Sequence, residues 1–330
     1  TVQQVGDAGL AADAVAQFLD GSFAAYQQRQ AVGAWQWDRG DVEGALDDLA
    51  QHQLVERMAD DRYQLTALGR LAGEGGLEVR SVMRLAEVLR PLDLGALGES
   101  ALDATLITAA QLAVELDSEY VPFNKKSTHK EPHVWVAELQ QQRIPFPVIA
   151  ALQRWPIDAF TGLVRAKRAV ACLLWMTAAP LAQVERTMTQ FGGAPGGAAG
   201  PLRSTWARTV DVLPTVARAA EALHPALDLG EWLPHTLARL ELGLPRETGD
   251  LALAAGSRLT RADYLALLRE RLARAEDIDQ AEDDTVLACV SNDHRKLAVV
   301  RQAARSVLER QAQVQEQMRP ILPPPNDTVC

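Results

Sequence analysis

The spacing of apolar residues predicts helix almost throughout the chain, with one exception near its start. Residues 7–28, DAGLAADAVAQFLDGSFAAYQQ, carry apolar side chains at helical spacing. Residues 41–56, DVEGALDDLAQHQLVE, set Val42, Ala45, Leu46 and Leu49 on one face behind a capping Asp41. The pattern then changes. Leu54-Val55-Glu56-Arg57-Met58 and Arg62-Tyr63-Gln64-Leu65 read as two short strands, and Ala59-Asp60-Asp61 supplies the turn chemistry between them. Thr66 stands where an N-cap is needed for a helix opening Ala67-Leu68-Gly69-Arg70-Leu71.

Helix, helix, two-stranded hairpin, helix is the order of a winged-helix domain, with the hairpin as the wing. Its second helix carries Asp41, Glu43, Asp47 and Asp48, which would repel a phosphate backbone. The expectation is a structural brace rather than a groove reader. Helices continue at 76–92 and at 102–116, LDATLITAAQLAVEL, which is nearly all apolar and reads as buried. Residues 117–147 read as a loop, in which Pro132 breaks the helix that His129 and His133 would need to share a metal, so no metal site is expected. Helices follow over 158–176 and 179–223. In the one from Pro201, Leu202, Trp206, Leu213, Val216, Ala220 and Leu223 form an apolar stripe. Ser204, Arg208, Asp211, Thr215 and Arg218 form the opposite face, and Pro214 should bend the helix. From 229 to 290 short helices are broken at Gly243-Leu244-Pro245 and Gly256, with Thr260 capping LTRADYLALL. The reading is mostly α: a winged helix over 1–78, a helical bundle over 79–224, a small helical domain over 225–319, and a disordered proline-rich tail over 320–330.

Charge changes this picture once it is divided along the chain. The whole carries 33 Lys/Arg against 43 Asp/Glu, a net charge of −10, yet residues 141–220 hold nine basic residues against three acidic. A basic block of this kind can neutralise phosphates and release counterions; from charge alone, chance fluctuation on solvated helix faces is the simpler reading. Three widely spaced cysteines, Cys172, Cys289 and Cys330, argue for reduced thiols and a cytoplasmic protein. No signal-peptide pattern opens the chain, and the longest apolar run, 169–182, is too short for a membrane span and contains Pro180. The opening Thr1 leads us to expect a longer parent protein. GGAPGGAAG (192–200) invites comparison with a phosphate loop, but none of the five lysines follows a glycine, which excludes ATP hydrolysis by that route in this chain.

Three stretches together resemble the region after the two motor domains of superkiller-like superfamily-two helicases, especially the HelQ-type DNA repair branch. FAAYQQ (23–28) followed by ALDDLAQHQLVERMADDRYQLTALGRLA looks like the family's winged helix. RAKRAVACLLWMTAAPLAQVERTMTQF (165–191) and then GPLRSTWARTVDVLPTVARAAEAL (200–223) look like its ratchet domain. The compact end around 229–290 is similar to its closing helix-loop-helix domain.

The resemblance implies the accessory part of an ATP-dependent helicase that guides single-stranded DNA past motor domains in cis. ATP and magnesium would belong to those motors, with no cofactor in this chain and no membrane partner. In the family an arginine and an aromatic on the long ratchet helix stack on bases; the corresponding positions here are Ser204 and Asp211, so the sequence departs at both. Arg208 and Arg203 are the expected substitutes, with Ser204 between them, because a guanidinium suits phosphate and can stack on bases. Trp206 is the aromatic of this helix, although its place on the apolar stripe favours the core. Arg165, Lys167 and Arg168 are expected to open a helix and line the same passage. The alternative is an all-helical adaptor that binds protein; a free-standing winged-helix regulator is disfavoured by the acidic second helix.

Overall fold

The computed structural model describes residues 9–35, 37–124, 131–192 and 197–317. It is mostly helical, with seventeen α-helices and one three-stranded sheet among the described residues. The chain forms two compact units: residues up to Leu174 with Pro180–Leu233, and Trp175–Ala179 with the residues from Pro234 onward.

The first unit starts with β1 (Leu10–Ala11), α1 (Ala12–Asp20), α2 (Phe23–Val32), α3 (Arg39–Gln51), β2 (Val55–Arg57), β3 (Arg62–Leu65) and α4 (Ala67–Glu74). The hairpin lies where alternation placed it, with Val55 opposite Leu65 and Arg57 opposite Tyr63. β1 adds a third antiparallel strand on β3, pairing Leu10 with Tyr63; two residues are too few to show a period. The single helix expected over 7–28 is two, because Ser22 caps α2 by accepting from the Ala25 N–H. Asp38, not Asp41, caps α3, and Asp41 is the third residue of the reciprocal capping box. Thr66 caps α4 as expected, accepting from the Gly69 N–H.

The unit continues with α5 (Val79–Leu89), α6 (Glu99–Ala110), α7 (Glu131–Gln141), α8 (Phe146–Ala151), α9 (Thr161–Trp175), α10 (Leu181–Thr189) and α11 (Ala199–Leu223). Residues Leu102–Ala110 of α6 are all buried. α7 corrects the expected loop: Pro132 is its second residue, where the first-turn N–H has no intrahelical partner to lose. α11 packs against α4, α5 and α6. Leu54, Leu68, Leu71, Val82, Ala86 and Ala219 form one cluster, so the hairpin region and the longest helix share a core.

The second unit comprises most of α12 (Trp232–Leu242), then α13 (Gly249–Ala255), α14 (Arg261–Arg269), α15 (Ala275–Gln280), α16 (Asp283–Cys289) and α17 (His294–Gln317). Its core joins Leu251 and Ala255 of α13 to Val300, Ala304 and Val307 of α17. Gly243 closes α12 at φ +68°, and a Cβ there would lie 2.1 Å from the Trp175 ring. Arg261 covers that ring at 4.0 Å and donates to the Gly243 carbonyl at 2.8 Å.

Two carboxylates tie this second unit to pH. Asp263 completes the capping box with Thr260 and accepts from Lys296 at 2.8 Å. Burial alone would raise its pKa, but hydrogen bonds from Lys296 and Thr260 outweigh burial and hold it below 3.8. Asp250 is held below 3.8 by its hydrogen bond to His235 at 2.8 Å, against a smaller upward effect of burial. A carboxylate depressed on folding contributes stability above its unfolded pKa of about 4 and loses it as pH falls through the folded value. Urea unfolding of the second unit should therefore shift to lower urea below about pH 4. Asp263→Asn should reduce that acid sensitivity while lowering stability at neutral pH; an unchanged pH profile would refute the assignment.

Candidate functional site

α11 has 25 residues and so spans about 37 Å. Its inner side buries Leu202, Trp206, Val212, Leu213, Val216 and Ala220. Its outer side exposes Arg203, Ser204, Arg208, Asp211 and Arg218. Thr215 was expected on that outer face but is buried, donating to the Gly75 carbonyl at 2.9 Å where the end of α4 meets α11. Trp206 is a core residue, 4% exposed, with its indole N–H donating to the Ala171 carbonyl at 3.2 Å. It is closed to base stacking.

Glu119 reaches this outer face from the segment after α6. Its carboxylate accepts from the Ser204 hydroxyl at 2.6 Å and lies 3.7 Å from the Arg208 guanidinium. Arg208 also contacts Asp211 at 3.4 Å. Arg208 is half-exposed, and its exposed pair with Asp211 is worth under about 1 kcal/mol, so a phosphate can compete for it. Arg203, one residue before Ser204, is also exposed.

Arg165, Lys167 and Arg168 correct the expectation. They lie within α9 rather than at its start, and all three are buried at 1% exposure or less. Each meets internal acceptors. Arg165 donates to Asp117 at 2.7 and 3.1 Å and to the Arg154 carbonyl at 2.6 Å. Arg84 shares Asp117 at 3.1 Å. Lys167 pairs with Glu131 at 2.6 Å, both fully buried, and sits 5.1 Å from the Trp135 ring centre. Arg168 donates to Gln111 at 3.2 Å, to the Glu119 carbonyl at 2.9 Å and to the Leu116 carbonyl. Their partners are parts of the unit itself, so they hold it together and do not face a polyanion.

Burial sets the titration of this network. It lowers Arg168 to about 10, against the charge of Asp117, and it lowers Lys167 against the hydrogen bond and charge of Glu131. The Cys172 thiol is pushed up to about 12 by burial, against a hydrogen bond to Thr209. It is no thiolate nucleophile at neutral pH. His133 lies on α7; its expected neighbour His129, residues 193–196 of the glycine stretch, and the tail from 320 lie outside the described residues.

Sequence reasoning missed Asp117, Glu119 and Glu131, which receive the cations, and the rings that flank them. Tyr120, 58% exposed, has its ring centre 6.5 Å from Phe123, which lies 5.0 Å from Phe160. The available signal was the alternation of Glu115, Asp117 and Glu119 just before an aromatic-rich stretch. No protein-family model matches the chain, and no curated protein is significantly similar to it.

Proposed function

We propose that this chain is the accessory part of an ATP-dependent nucleic-acid helicase, guiding single-stranded DNA past motor domains carried elsewhere in the parent protein. The observation that carries the reading is the outer face of α11. One long helix, anchored along its inner side, leaves Arg203, Arg208 and Arg218 in solvent on a chain whose net charge is −10. The reading takes α1–α3, the β2–β3 hairpin with β1 beside it, and α4 as a winged helix, and α5–α11 as a ratchet-type bundle. The second unit is then the closing helical domain. Binding would be electrostatic and insensitive to sequence, through phosphates on Arg203 and Arg208. ATP and magnesium belong to the motors.

Salt titration of a labelled single-stranded oligonucleotide tests this. Log affinity should fall linearly with log salt, and Arg203→Ala or Arg208→Ala should each weaken binding and flatten the slope by about 0.7. Absence of binding at low salt, or a slope indifferent to both substitutions, would favour the second reading, an all-helical protein-binding adaptor. That reading draws on Phe18, Phe23, Tyr26 and Val32 of α1 and α2, exposed by 48–71%, with the Phe23 and Tyr26 rings stacked at 6.2 Å.

A further inference from the structure

The outer face of α11 holds cations but no ring, because its one aromatic, Trp206, points into the core. A single strand bound there would have its phosphates met and its bases unmet. The segment from Leu116 to Asn124 supplies what is missing. It is neither helix nor strand over most of its length, yet it is tied down repeatedly from inside. Arg84 and Arg165 hold the Asp117 carboxylate, and Arg168 holds the Leu116 and Glu119 carbonyls. Val121 is fully buried. The Asn124 N–H donates to Glu131 at 3.1 Å, and its side-chain amide to the Phe191 carbonyl at 2.6 Å. Tyr120, in the middle of these ties, is exposed.

That ring is the outer end of a row. Phe123 and Phe160, both half-buried, stand behind it at successive centre separations of 6.5 and 5.0 Å. The row and the α11 cations are linked through the chain: Glu119, the residue before Tyr120, bonds Ser204 and contacts Arg208. A fixed aromatic face one residue along the chain from a displaceable guanidinium contact is a combination that can take an unpaired base together with its phosphate. The buried basic residues of α9 acquire a role in this arrangement: they fix the backbone that presents Tyr120, so little freedom is left to lose on binding.

We infer that Tyr120, backed by Phe123 and Phe160, is a stacking platform for an unpaired base of the strand whose phosphate Arg208 receives. The inference rests on the strand-guiding reading of α11. It adds a binding residue from outside that helix.

Oligonucleotides carrying 2-aminopurine, whose fluorescence reports stacking, test it on the full chain. The wild type should quench the probe beyond the free strand. Tyr120→Ala should lose that quenching and bind about 5- to 150-fold more weakly, the range for one base–aromatic stack. Its salt slope should stay unchanged, because the lost contact carries no charge. Tyr120→Phe should retain quenching and affinity. Tyr120 is exposed, so Tyr120→Ala should keep the wild-type thermal transition. If the wild type binds with an Arg208-dependent slope while Tyr120→Ala quenches and binds equally well, the platform is refuted and the α11 path survives. If the wild type binds no strand at low salt, both fall.

Discussion

Lys167→Met destabilises the first unit by about 3–5 kcal/mol, the cost of removing one partner from a buried ion pair. Lys167 and Glu131 are both fully buried, and their charged atoms are 2.6 Å apart. Without the ammonium, the Glu131 carboxylate keeps the Asn124 N–H at 3.1 Å and the long Trp135 indole contact at 3.4 Å. Those two donors cannot replace a full charge in a low-dielectric interior. Burial is also the largest influence on Lys167 and lowers its pKa against the hydrogen bond and charge of Glu131, so desolvation costs the pair heavily even when intact. Replacing both partners should therefore be far milder. Lys167→Met with Glu131→Gln keeps one acceptor oxygen, enough for the Asn124 N–H but not also for the long Trp135 contact, and buries no charge. It should lie within about 1 kcal/mol of the wild type. Urea unfolding followed by tryptophan fluorescence gives the double-mutant cycle. Additive single and double effects would show that the pair is not coupled as its geometry requires.

Gly69→Ala should be the most damaging single methyl in the first unit. A Cβ at Gly69 would lie 1.8 Å from the Leu54 carbonyl oxygen and 2.8 Å from its carbon, both backbone atoms. That carbonyl is already fixed, accepting from the Thr66 N–H and hydroxyl, each at 3.1 Å. Thr66 in turn caps α4 through the Gly69 N–H at 3.0 Å. No side chain can rotate away, so α4 must separate from the start of the hairpin, at a cost at or above the ~1–3 kcal/mol usual for overpacking. Gly44→Ala is the control. Nothing lies within 4 Å of a Cβ built there, and Gly44 is exposed within α3. It should stabilise by about 0.5–1 kcal/mol, since alanine loses less backbone freedom in a helix. Similar thermal midpoints for the two variants would refute the close approach.

The two substitutions probe different distances along the chain, and legibility followed the same division. Thr66 and Thr260 read correctly as caps because a cap joins residues three apart. The hairpin read correctly because Arg57 and Tyr63 are brought opposite each other by a turn between them. Asp38 was missed as the cap of α3 because Asp41 offers the same chemistry three residues on, and both take part in the capping box. Pro132 misled for the opposite reason: a proline is a breaker or a first-turn residue depending on where the helix begins, and Pro132 is the second residue of α7.

By itself, the sequence determined the helical character, the buried α6, the hairpin and the principal caps. All of these follow from periodicity and hydrogen bonds between near neighbours. It also located the basic block, but not which side of the surface its members lie on. Arg165 meets Asp117 across 48 residues, Lys167 meets Glu131 across 36, and Ser204 meets Glu119 across 85. Only the tertiary structure decided those partners. A charge count is the same whether a cation faces water or a buried carboxylate, and the packing of α9 and α11 selects between the two.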